Sequence, residues 1–312
     1  MLSVVIPLFN EEESLALLYK ELVRGLGKIA KGYEIIFVDD GSTDSSLEIL
    51  KGIAKKNNKV RIFSFRKNQG KAEALTFGFQ KAFGDYIATL DADLQDIPSE
   101  IPKLIDNATK GAWDLVCGWR KDRKDPLPKI ISSKLFNYLT GIIWGFSLHD
   151  YNCGLKVYTR DAAKSLYLYG GMHRFIPLLL HQQGFSVLEI PVIHKKREFG
   201  KSKYGFSKIW KDLPDVFTMF FLSKYARRPL HFFGTVGGFI SLLGVMILSY
   251  LAIIHAQGEA IATRPLFFFG MILVFSGIQI FFTGFLADLI INASQRPQGA
   301  EREKAILKFE NS

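Results

Sequence analysis

The chain reads as an α/β domain on a largely parallel sheet, followed by two membrane-spanning helices. Three observations lead there. Short β-rich apolar runs alternate with longer amphipathic stretches through the N-terminal two thirds of the sequence, the pattern of strands layered with helices. Polar clusters follow the apolar runs directly, as at the carboxyl edge of a parallel sheet, where ligands bind. Two later runs lack Asp, Glu, Lys and Arg, and each exceeds the roughly 20 residues that cross a bilayer as a helix.

Taken in order, Ser3–Pro7 is a strand and Glu12–Leu26 a helix. Glu34–Val38 is a strand whose IIFV run suits burial on both faces, and Ser45–Lys56 is a helix. Val60–Phe65, Tyr86–Leu90 and Leu115–Cys117 are further strands, with helices at Lys71–Phe83 and Ser99–Lys110. Two aromatic-rich stretches flanked by Lys and Arg, Lys129–Phe146 and Lys208–Tyr225, suit helices lying in the lipid headgroup layer; packing onto the domain or the spans is the other reading. The spans are Leu230–Ile254 and Pro265–Ala287. Lys224, Arg227 and Arg228 precede them and Arg296, Arg302, Lys304 and Lys308 follow, whereas the link holds only Glu259 and Arg264. That bias predicts an inner (plasma) membrane protein with both termini cytoplasmic. Asp288 reads as interfacial. The N-terminus, MLSVVIPLFN, lacks a basic leader and reads as no signal peptide. The expected organisation is a catalytic domain over 1–212, a juxtamembrane segment over 213–229, a hairpin over 230–292 and a cytoplasmic tail over 293–312.

A net charge of +10 over 312 residues points to an anionic partner. No nucleic-acid motif accompanies it. The two cysteines, Cys117 and Cys153, match no metal spacing and read as packed thiols.

The clusters at the sheet edge are Asn10-Glu11, Asp39-Asp40-Gly41-Ser42, Asn68-Gln69-Gly70-Lys71 and Asp91-Ala92-Asp93. LDADLQDIP places three carboxylates within six residues. Neighbouring carboxylates repel unless a cation or donors compensate them, and a hard divalent cation takes their oxygens while keeping positions open for phosphate. Asp96 or Ser99 suits the cap of the helix beyond Pro98.

VVIPLFNEEESL, EIIFVDDGSTD, NQGKAEAL, GDYIATLDADLQDIP and the RxxGxSKY segment at Arg197–Tyr204 together resemble the family 2 glycosyltransferases with a GT-A fold. More narrowly, the chain is similar to the polyprenyl-phosphate glycosyltransferases over about residues 1–212. The resemblance implies that Pro7, Phe9, Glu11, Val38, Asp40 and Ala92 line the nucleotide pocket, with Asp40 accepting from the base or ribose. It implies that Asp93 and Gln95 hold Mg2+ or Mn2+, with Asp91 on the ribose or sugar side. Arg120 would neutralise leaving-group charge, and Arg197 and Lys203 would clamp a phosphate. Asp150, in DYNCGLK, is a catalytic candidate or a structural ligand of Arg120. Lys195, Lys196 and Lys201 read as a solvated face.

The implied activity is inverting transfer of one hexose, glucose from UDP-glucose in the leading reading, onto undecaprenyl phosphate. GDP-mannose and a modified or N-acetylated sugar are alternatives, and a nonenzymatic nucleotide-binding scaffold is a remote one. The absence of a QxxRW segment disfavours a processive synthase. The lipid phosphate is largely dianionic at neutral pH, with a second pKa near ~6, so a dedicated base is less necessary than for a hydroxyl. A nucleotide sugar, a polyprenyl phosphate and the membrane are the expected partners, and a homo-oligomer is compatible with the sequence.

Overall fold

The computed structural model describes residues 1–27, 32–196, 218, 220–221, 225, 228–261 and 264–294. Arg197, Lys203, most of Lys208–Tyr225 and the tail beyond 294 lie outside the described residues. The chain divides into two compact units, Met1–Val216 and Phe217–Ser312.

In the first unit the apolar runs become β1 (Leu2–Leu8), β2 (Tyr33–Asp39), β3 (Val60–Ser64), β4 (Tyr86–Thr89) and β5 (Leu115–Trp119). Every residue of β1 is buried, as expected of a parallel strand covered on both faces. Two further strands, β6 (Lys156–Thr159) and β7 (Val187–Pro191), complete a sheet of order β3-β2-β1-β4-β6-β5-β7. Only β6 pairs antiparallel, with β4 and with β5.

Helices cover both faces. On one lie α1 (Glu12–Leu26), α2 (Ser46–Lys56) and α4 (Ile101–Gly111). There Leu15, Leu18, Leu22 and Leu26, spaced three and four apart, join Leu50, Ile101 and Leu104 in a single core. The other face carries α3 (Lys71–Lys81), α6 (Arg160–Ser165) and α7 (Ile176–Gln182), packed through Phe79, Ala162, Ile176 and Leu180. Gly78 lets α3 approach the sheet, since a Cβ there would stand 2.3 Å from Val5 Cγ1. The Lys129–Phe146 stretch is helix α5 (Leu127–Trp144), which leaves Leu127, Ile131, Leu135, Tyr138 and Ile142 exposed along one side.

The chain runs outward from β1 to β3 and returns to β4 on the other side of β1. The crevice beyond the carboxyl ends of β1 and β4 is therefore the topological switch point, where such sheets bind ligands.

The second unit holds two long apolar helices, Pro229–Ala256 and Pro265–Ser294. Both are long and apolar enough to cross a membrane, with only 17% and 11% of their most apolar windows buried. They pack closely where Gly237 meets Gly277 and Gly244 meets Gly270, small residues of the kind that let membrane helices touch.

Candidate active site

The switch-point crevice begins with Pro7 and Val38, register partners on β1 and β2. Both are buried, as is Ala92, and Phe9 is partly so. Asn10 takes a left-handed φ of 54°, which Asn tolerates better than most residues. Its amide donates to Ser42 Oγ at 2.9 Å, and the Glu11 amide donates to Ser46 Oγ at 3.0 Å, joining the loops after β1 and β2. Asp39 accepts from the Ser42 amide at 3.0 Å and from Ser64 Oγ at 2.7 Å. Asp40 accepts backbone amides of Gln69 at 2.7 Å and Gly70 at 2.9 Å, so its carboxylate anchors the loop entering α3. Burial raises the Asp40 carboxyl, and those amides only partly offset it.

Asp91, Asp93, Gln95 and Asp96 follow β4. Asp91 forms an ion pair with Lys71, the first residue of α3. Burial acts to raise Asp91, but the Lys71 ammonium, with Lys156 and His173 behind it, holds the carboxyl below its usual range. Leu94 stands at φ 61° between Asp93 and Gln95, a left-handed turn costing a branched residue about 1–2 kcal/mol. The Gln95 amide donates to Asp93 Oδ1 at 3.2 Å. Asp96 does not cap the following turn: its cap residue, Ile97, makes no side-chain cap bond, and the Asp96 carboxyl is buried instead. Burial, then the charges of Asp91 and Asp93, push it up to about 7. Gly154 makes room for this cluster, because a Cβ would stand 2.6 Å from Asp96 Oδ2 and 2.8 Å from the Asp91 carboxyl carbon.

Arg120, just past β5, grips Asp150 through Nε at 2.6 Å and Nη2 at 2.9 Å, with both side chains buried. Despite burial, that guanidinium lowers the Asp150 carboxyl. Both Asp150 oxygens are thus engaged, the arrangement of a structural ligand of Arg120. On the far side lies a cavity of about 740 Å³ lined by Trp119, Arg120, Lys121, Arg123, Lys124 and Lys134 among others. A larger cleft of about 890 Å³ lies between α1 and α4, and no residue of the Asp91–Asp96 cluster lines it.

Sequence reasoning gave no role to Lys71, Lys156, His173, His194 or Glu189. Lys71 lies in the NQGKAEAL segment, but its pairing with Asp91 depends on α3 and β4 meeting at the edge. Lys156 is a buried lysine on β6 whose ammonium donates to the Cys153 carbonyl, and no local pattern marks it as interior. Both cysteines are buried and unpaired.

The donor set at the edge fits a hard divalent cation: Asp93 and Gln95 offer only oxygen, and the neighbouring Asp91 already carries a lysine counter-charge. Among the described residues no cluster of three or more His, Cys, Asp or Glu is disposed to hold a metal alone, so further ligands would come from the substrate.

The family described as glycosyl transferase family 2 matches residues 3–167. A dodecaprenyl-phosphate galacturonate synthase of Rhizobium johnstonii is 38% identical over 300 residues, covering 95% of this chain and 89% of that protein. An undecaprenyl-phosphate 4-deoxy-4-formamido-L-arabinose transferase of Photorhabdus laumondii is 36% identical over 92% of this chain and 88% of that protein. Among solved structures, glucosyl-3-phosphoglycerate synthase of Mycobacterium tuberculosis with Mn2+ and UDP-glucose superposes with a TM-score of 0.53 at 20% identity, covering 72% of this chain and 78% of that one, a likeness of GT-A fold. Matched along nearly its whole length by enzymes of one kind, the chain belongs to the family 2 glycosyltransferases and is a polyprenyl-phosphate glycosyltransferase.

Proposed function

We propose that the protein moves one sugar, with inversion, from a uridine diphosphate donor at the switch-point crevice to the phosphate of a polyprenyl lipid seated in the 740 Å³ basic cavity. The observation that carries this reading is the Arg120–Asp150 pair. Arg120 lines the basic cavity and also acts electrostatically on buried Asp96 at the donor edge, so one guanidinium serves both sites. Pro7, Phe9, Glu11, Val38, Asp40 and Ala92 line the nucleoside side, and Asp91, fixed by Lys71, faces the ribose or sugar. Asp93 and Gln95 hold Mg2+ or Mn2+, whose charge stabilises the departing diphosphate. Arg120 meets the negative charge developing on the leaving group, and Asp150 keeps its planar fork oriented. Arg197 and Lys203 add counter-charge to a phosphate.

The sugar is a modified one in the preferred reading, because the relatives matched along the chain carry galacturonate and 4-deoxy-4-formamido-L-arabinose in their names. Glucose is the second reading, the sugar of the activity that the sequence resemblance implies. The two apolar helices form a membrane hairpin with both termini cytoplasmic, and exposed apolar residues of α5 lie against the headgroups.

Purified protein in bilayers, given undecaprenyl phosphate and a panel of labelled nucleotide sugars, should glycosylate the lipid from one donor strongly; no lipid product from any donor refutes the reading. For orientation, a cysteine at Gly258→Cys should react with impermeant reagent outside the cell and one at Ser312→Cys should not. The reverse pattern refutes the topology.

A further inference from the structure

Glu189 interrupts the apolar strand β7 between Leu188 and Ile190, and its side chain is only 8% exposed. A buried carboxylate demands donors, and Glu189 takes them from the loop between α5 and β6. Its Oε1 accepts the Asp150 amide at 2.7 Å, while its Oε2 accepts the His149 amide at 2.9 Å and lies 2.8 Å from His149 Nδ1. From the other side, Asn137 Nδ2 of α5 donates to the His149 carbonyl at 2.5 Å. That carbonyl and the Asp150 N–H belong to one planar peptide unit. The unit is therefore held at both polar ends, and the direction in which the Asp150 side chain leaves the backbone is set.

Strands β5 and β7 are paired neighbours, with Cys117 opposite Glu189 and Trp119 opposite Pro191. Arg120 follows directly on Trp119, and its Nε and Nη2 reach Asp150 at 2.6 and 2.9 Å. Arg120 and Glu189 thus stand on adjacent strands of one sheet, whereas Asp150 arrives from a loop. Glu189 ties that loop to the strand beside Arg120. A two-point contact between guanidinium and carboxylate depends on angle as well as distance. Only a carboxylate receives an amide at each of its two oxygens; glutamine in its place would turn an NH2 group toward one of them.

We propose that Glu189 is a positioning residue for sugar transfer. It sets the peptide unit before Asp150, Asp150 sets the plane of the Arg120 guanidinium, and Arg120 meets the charge of the departing diphosphate. The role rests on that reading of Arg120. Because the charge develops only as the bond to the sugar breaks, a misdirected guanidinium slows the chemical step more than it weakens binding.

At saturating donor and acceptor, Glu189→Gln should lower kcat about 10- to 30-fold and leave both KM values within about 2-fold. Arg120→Lys, which replaces the fork with a single ammonium, should lose about 100-fold. Combining the two should cost no more than about 2-fold beyond Arg120→Lys, since no fork remains to be aimed. Asn137→Ala frees the other end of the same peptide unit; it should cost about 3-fold in kcat, and that loss should also vanish on the Arg120→Lys background. It decides alone if Glu189→Gln does not fold. Full kcat in these variants, or a raised KM at unchanged kcat, overturns the role. If Arg120→Lys is crippled but its loss multiplies with that of Glu189→Gln, Glu189 acts elsewhere and the positioning role alone falls. If Arg120→Lys keeps its full kcat, the reading of Arg120 at the leaving group falls and the role of Glu189 with it.

Discussion

The donor edge and the basic cavity meet at Arg120, yet they carry charge in opposite senses. The donor edge gathers Asp39 at the end of β2, Asp40 just beyond it, and Asp91, Asp93 and Asp96 after β4, and meets them with backbone amides and the ammonium of Lys71. The cavity gathers Arg120, Lys121, Arg123, Lys124 and Lys134 around a single neutralised carboxylate and Asp122. In the proposed arrangement a diphosphate would reach the first only with a divalent cation between the two negative groups. In the proposed arrangement a lipid phosphate would enter the second unaided, drawn by the surrounding cations. Metal chemistry and acceptor binding should therefore separate cleanly.

The largest expected effect tests that separation. Asp93→Asn removes one negative charge from the cation's ligands, and transfer should fall on the order of 1,000-fold while polyprenyl phosphate still binds. EDTA should imitate the variant in the unaltered protein. Undiminished turnover in metal-free buffer would end the metal assignment, and a parallel loss of lipid binding would erase the contrast between the regions.

Lys71→Met comes next. It leaves the half-buried Asp91 beside Asp93 and Asp96 without its ion-pair partner, so the mutual repulsion of the three carboxylates is no longer offset. Transfer should fall about 100-fold through the donor side, read as a raised donor KM or lowered kcat at unchanged acceptor KM. A defect confined to the acceptor would place Lys71 in the wrong region.

The two regions also differ in how far the sequence discloses them. Donor residues are contiguous with their strands: IIFVDD and YIATLDAD each pair an apolar run with the carboxylates that follow it, so one reading finds strand and site together. Asp96 misled because a carboxylate before Pro98 looks like a cap, whereas its burial depends on Gly154 arriving from beyond α5. The acceptor side is assembled from β5, α5, β7 and the loop before β6. β6 is four residues long and begins with a buried lysine, and β7 is an edge strand carrying Glu189 in its middle. Neither has the continuous apolar run of a parallel strand, and Glu189 gains a reason only when His149 and Asp150 stand opposite it.

A smaller effect sharpens the basic side. Lys134 is an exposed residue of α5 lining the cavity, so its attraction to a phosphate is screened by solvent and salt. Lys134→Ala should raise the acceptor KM about 3- to 5-fold at low ionic strength, leave donor KM unchanged, and lose its effect as salt rises. A salt-independent loss would mean that α5 contributes packing in place of charge.

The smallest effect on transfer, and the one that probes the seam between the regions, concerns His194. Its backbone bridges to Asp96 on the donor side, and its Nδ1 accepts the Lys124 amide of the acceptor side at 3.5 Å. The side chain is buried, and Nε2 has no partner among the described residues. Burial, then the positive charge of Arg120, pushes its pKa down to about 4. An unfolded histidine titrates near ~6.5, so between these values the unfolded chain binds more protons than the folded one. Stability is therefore fully present above about pH 6.5 and drains away as the pH falls toward about 4, by about 1–3 kcal/mol. His194→Leu keeps an apolar side chain in the buried position without the titrating group. At pH ~8 its transfer rate should stay within about 2-fold of the unaltered protein, because neither substrate touches the ring in the proposed arrangement. On acidification to pH ~4.5 the variant's Tm should fall less steeply, since the proton uptake that drives the loss is gone. Parallel Tm curves across that window would show that the acid sensitivity lies elsewhere, and a large rate loss at pH ~8 would move His194 from the seam into one of the two sites.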